Sequence, residues 1–136
     1  QKNMIETMVD KAIDEAIDRA VLVLKNEKIL LPFMFLINEN NFISVVPTEK
    51  DYYYDDSVMV DSFKSFANEK LTEVEGYCVV YDKKTTIKGL EMNTIAIFIK
   101  MKNDTLPLKT RVYYFPYNIV GENPMIDFEL VFASEM

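Results

Sequence analysis

A chain of 136 residues, 49% hydrophobic and 27% charged, is long enough for one hydrophobic core, too short for two ordinary domains and too apolar for a disordered segment. Its 22 Asp and Glu outweigh 15 Lys and Arg, and the formal charge of -7 repels phosphate backbones and anionic lipid, so neither nucleic acid nor a membrane is an expected partner. The single cysteine, Cys78, permits no intrachain disulfide; this fits a reducing compartment and predicts a cytoplasmic location.

Gln1-Lys2-Asn3 leads directly into a charged amphipathic segment, without the apolar core of a signal peptide or membrane span. Apolar residues from Met4 and Ile5 through Val21 and Leu24 recur every fourth position, which only a helix satisfies. Each such step advances the stripe by roughly 40° on a helix of 3.6 residues per turn. The stripe therefore winds, and predicts a helix lying obliquely across a twisted sheet or packing its first turns on a second copy.

Ile29 to Asn38 reads as a strand covered on both faces. Leu31, Phe33, Phe35 and Ile37 form one alternating set, and Leu30, Met34 and Leu36 the other. Asn38-Glu39-Asn40-Asn41 predicts a hairpin turn, and Phe42 to Val46 returns until Pro47 stops it. Asp55, Asp56 and Ser57 offer N-cap oxygens to a second helix, in which Met59, Val60, Phe63, Phe66, Ala67 and Leu71 recur at helical spacing. Further strands follow at Tyr77–Asp82, over 94–102, at Leu108–Phe115, and along Ile126, Phe128, Leu130 and Phe132. The predicted fold is a single α+β domain over 1–136. It has the order α-β-β-α-β-β-β-β, a mainly antiparallel sheet of five to six strands and both helices on one face. Leu31, Phe33, Phe35, Ile37, Ile95, Ile97, Ile99, Phe128 and Leu130 are its expected core.

Pro32-Phe33 entering a hairpin, Tyr77-Cys78-Val79-Val80-Tyr81-Asp82, Asn93-Thr94-Ile95-Ala96-Ile97 and Tyr114-Phe115-Pro116-Tyr117 together carry a resemblance over most of the chain. They resemble a family of small bacterial proteins of no assigned activity with the same order of elements. Asn93 and Lys100 stand where that family has acidic residues, so the resemblance implies no carboxylate site along this strand. The element order is also similar to that of roadblock or profilin-like domains, without the final roadblock helix.

The chain has no histidine, which removes the usual general base, the commonest transition-metal ligand and every Ser-His or Cys-His nucleophile. Gly76, Gly89 and Gly121 lie too far apart to cradle a phosphate, and the expectation is a protein with no cofactor, no metal and no catalytic residues. Cys78 sits in an apolar strand and reads as a core residue; Asp10, Asp14 and Asp18 read as a solvated helix face. The most unusual run is Asp51-Tyr52-Tyr53-Tyr54-Asp55-Asp56, where tyrosine supplies rigid contact area inside an acidic rim. Tyr114 and Tyr117, flanking Pro116, extend the candidate contact surface, and the proline itself predicts an edge strand or strand end. These features lead to a non-enzymatic protein-binding module, adaptor- or immunity-like, that contacts a basic partner or a second copy of itself. The alternative is a small-molecule sensor with an apolar pocket between helix and sheet.

Overall fold

The structure, a computed structural model, describes residues 4–46, 55–102 and 110–135; for residues 4–6, 110 and 135 it describes the backbone alone. Helix α1 spans Met4–Glu27 and is followed by β1 (Phe33–Asn38), β2 (Asn41–Val45) and helix α2 (Asp56–Lys70). Strands β3 (Gly76–Ile87), β4 (Leu90–Met101), β5 (Thr110–Val120), β6 (Asn123–Ile126) and β7 (Phe132–Glu135) complete an α+β fold in the expected order of elements. The strands form one antiparallel sheet in the order β2-β1-β3-β4-β5-β6, and β7 also pairs with β5.

The helices lie on opposite faces of the sheet, not together on one, because β1, β3 and β4 are apolar on both sides. Val9, Ala12, Ala16, Ala20 and Leu24 of α1 pack with Phe35, Ile37, Cys78, Ile95, Ile97 and Phe115. Met59, Val60, Phe63 and Ala67 of α2 pack with Met34, Leu36, Tyr77, Val79, Ala96 and Phe98. Successive strand residues point to opposite faces, so these two sets are the alternate residues of the same strands. The alanine stripe of α1 brings its backbone close to the sheet, and the winding apolar pattern leaves Leu22 exposed on its far side. Asp10, Asp14 and Asp18 are exposed on that helix.

The β3–β4 hairpin is longer than the sequence suggested. Lys88 and Gly89 adopt φ of 51° and 80°, the left-handed pair of a type I′ turn, and the ladder runs from Gly76↔Met101 to Ile87↔Leu90. At the other end of β3, Gly76 allows a close approach to β4: a Cβ there would stand 2.7 Å from the Lys100 carbonyl oxygen and 2.5 Å from the Met101 sulfur.

The predicted last strand is broken in two. Asp127 caps a 3-10 turn at Phe128–Leu130, its carboxylate accepting from the Glu129 N–H at 3.1 Å while its own N–H donates to the Pro116 carbonyl at 2.9 Å. Phe128 is consequently 66% exposed, and Leu130 is only half-buried. Leu31, which precedes β1, and Phe33, its first residue, also fall short of full burial. Pro116 lies inside β5, neither at its end nor on an edge strand. Its carbonyl faces the gap between β6 and β7, so the missing N–H removes no bond from the β4 ladder.

Candidate functional site: a cleft at the end of the sheet

Strand β3 has twelve residues and β1 has six. Their pairing stops at Phe33↔Val80, while β3 continues alongside β4 to Ile87, so the segment 81–87 projects beyond β1. Two open clefts flank this projection, one on each face of the sheet. The larger, about 540 Å³, is lined by Asp56, Asp82, Lys84, Asn93, Tyr117 and Ile119 together with the α1–β1 connection at Lys28–Leu31. The smaller, about 290 Å³, is lined by Tyr81, Lys83, Val60, Asp61, Ser57 and, again, Asp56 and Asp82.

Asp82 and Tyr117 form the polar floor of the larger cleft. Asp82 pairs with Ile95 and Asn93 with Tyr117 across β3, β4 and β5, which sets the two side chains diagonally on the same face. The Tyr117 hydroxyl donates to the Asp82 carboxylate. Burial raises the Asp82 carboxyl above its ordinary range; the Tyr117 hydrogen bond and Lys84 act against that rise and Asp56 adds to it. Burial likewise pushes the Tyr117 phenol up, and the neighbouring carboxylate reinforces the shift, so Tyr117 stays protonated and remains a donor. Lys84 leans towards Glu91 across the hairpin at 4.0 Å and so does not close on Asp82. Ile29, Leu31 and Ile119, at 58%, 40% and 41% exposure, supply an apolar rim.

The structure brings together some of the expected contact residues and separates others. Asp51, Tyr52, Tyr53 and Tyr54 lie outside the described residues. Asp55 is the N-cap of α2, its carboxylate accepting from the Val58 N–H at 2.9 Å and from the Ser57 hydroxyl at 2.8 Å; the Val58 bond, then the Ser57 bond, lowers its pKa. Asp56 borders both clefts. Tyr117 is only 5% exposed, so it serves the cleft from its floor and not as a protruding anchor. Tyr114 faces the other way and stacks on Phe132 with ring centroids 4.8 Å apart. Asp82, Lys28 and Asn93 were not among the expected contact residues, because they converge from three separate parts of the chain at no fixed spacing.

Cys78 is fully buried and its thiol is pushed up by that burial, a setting unlike that of a reactive thiolate. Among the described residues, no group of three or more Cys, Asp or Glu side chains gathers closely enough to hold a metal ion. No helix among the described residues is long and apolar enough to cross a membrane. Comparison with protein-family models, curated proteins and solved structures finds no match to this chain.

Proposed function

We propose that the protein is a non-enzymatic binding module that uses the sheet-end cleft to contact another protein carrying a basic side chain. The observation that carries this reading is the Asp82 carboxylate, half-buried and held by Tyr117 but, among the described residues, without a cation bonded to it, opening beside Asp56 into a cleft with an apolar rim. An aromatic and aliphatic surround excludes water around an oriented carboxylate and so strengthens its pairing with an incoming cation. The chain's charge of -7 favours a basic partner at longer range. Both clefts open to solvent at the end of the sheet, unlike an enclosed sensor chamber between helix and sheet.

A photo-crosslinking side chain placed at Ile119 tests the reading in the cell that makes the protein, with the same group at Asp14 on the solvated face of α1 as the control. The expected result is a discrete adduct with another protein from position 119, diminished by Asp82→Asn. Equal labelling from both positions, or labelling unaffected by Asp82→Asn, rejects the cleft as the contact surface.

A further inference from the structure

We infer, building on that reading, that the partner enters as an extended basic segment that adds a β-strand to the free margin of β3 and fills the two clefts with alternate side chains. Ile87 and Leu90 close the two-residue turn as a bonded pair. Alternation then directs the backbone of Tyr81, Lys83, Thr85 and Ile87 towards β4, and the Lys83 carbonyl does accept the Thr94 hydroxyl on that side. Asp82, Lys84 and Thr86 turn their N–H and C=O groups the opposite way, into the lane that β1 leaves after Phe33. Among the described residues no backbone bond meets these groups.

The side chains follow the same alternation. Tyr81 and Lys83 line the smaller cleft on one face and Lys84 the larger cleft on the other, while Asp82 borders both. A strand lying in this lane would therefore direct its own successive side chains into the two clefts in turn, the arrangement by which strand addition gains specificity beyond its backbone bonds. In the larger cleft Asp56 and Asp82 are balanced by Lys28 and Lys84, but in the smaller one Asp56, Asp61 and Asp82 face Lys83 alone, which favours Lys or Arg on the incoming segment.

Other margins of the sheet are less suited. On the outer strand β2, the Arg19 guanidinium donates to the Phe42 carbonyl at 3.0 Å and to the Ser44 hydroxyl at 2.9 Å, placing a cation against a backbone acceptor of that strand. The opposite border is divided into two four-residue strands, and β6 contains Pro124, which has no N–H to offer.

The test selects binders from a displayed library of randomised peptides about eight residues long, roughly 26 Å when extended. Selected peptides should carry a Lys or Arg, and backbone N-methylation should weaken binding about ten-fold at alternate residues while the intervening ones tolerate it. Thr86→Pro removes an outward N–H without touching the β4 ladder, and should weaken the same peptides about ten-fold at an unchanged melting temperature. Methylation without alternation, or full affinity in a folded Thr86→Pro protein, overturns strand addition; if Ile119→Lys then still abolishes peptide binding, the cleft reading survives it. Selection of no peptide at all also overturns the inference, whereas failure of the crosslinking experiment removes the cleft reading itself. The methylation series uses the unaltered protein, so it decides the matter even if Thr86→Pro does not fold.

Discussion

Phe35 and Ile97 are completely buried in the layer between α1 and the sheet, and truncating either to Ala should cost about 2–5 kcal/mol in a denaturant titration. Phe128, prominent in the same sequence pattern, is 66% exposed and meets the Phe115 ring edge-on at 6.3 Å. Phe128→Ala should therefore cost about 1 kcal/mol or less, and a loss as large as that of Phe35→Ala would mean that the 3-10 turn is misplaced. Asp82 gives a prediction with a definite sign. Its carboxyl is raised above the ordinary value of 3.8, so the folded protein holds that proton more tightly than the unfolded chain. The corresponding stabilisation is fully present below pH 3.8 and is lost as pH rises through the folded value. Relative to Asp82→Asn, which cannot titrate, the wild-type protein should lose stability as pH is raised through that window. Urea titrations at a series of pH values measure the difference; a constant or rising difference would show that burial does not govern this carboxyl. The phenols have the same sign at alkaline pH. Burial pushes Tyr77 to about 12, and burial with nearby Tyr114 pushes Tyr81 to about 12. Stability should fall as pH rises from 10 towards 12, and phenolate absorbance should show these groups ionising late.

Among the elements, β3 is the one on which the fold and the proposed site both depend. Its first residue, Gly76, faces the β4 backbone, where the Lys100 carbonyl oxygen would stand 2.7 Å from an added Cβ. Because backbone cannot yield as a side chain does, Gly76→Ala should cost about 1–3 kcal/mol, measured by denaturant titration. Unchanged stability would show that β3 and β4 separate freely at this end. The far end of β3 was hard to read from sequence for a physical reason. Lys83 to Ile87 alternates weakly, because the two-stranded arm faces water on both sides and has no buried face to impose a pattern. The left-handed pair at Lys88 and Gly89 is the local feature that specifies the hairpin. The final strand presented the opposite difficulty. Ile126, Phe128, Leu130 and Phe132 keep a clean alternation, but Asp127 finds local hydrogen bonds that favour a turn over a continuous ladder.

For the whole molecule, the sheet divides into a protected margin and an available one. Arg19 is held in place by Glu15 at 2.7 Å, lies 4.8 Å from the centroid of the Phe35 ring and places a cation against a backbone acceptor of β2. Arg19→Met keeps the aliphatic stem and releases the edge, next to Ile43 and Val46, which are 45% and 76% exposed. The variant should self-associate in a concentration-dependent manner beyond the wild-type protein, as sedimentation would measure. Identical sedimentation of the two proteins would show that the β2 edge is guarded by something other than Arg19.

The sequence alone determined the class and order of the fold, because helical and strand periods are local and each element carries its own. It also determined that none of the residues of this chain is a histidine, since that is a matter of composition. The two-sided apolar pattern of β1 already contained the sandwiching of the sheet, yet which helix takes which face depends on how the strands pair, and only the tertiary structure decided it. The cleft lay further from view. Asp56, Asp82, Asn93 and Tyr117 belong to α2, β3, β4 and β5, and their convergence depends on strand registers and on β1 being shorter than β3. Register is a long-range property fixed by packing and turn geometry together, so no spacing along the chain could have placed the Tyr117 hydroxyl against the Asp82 carboxylate.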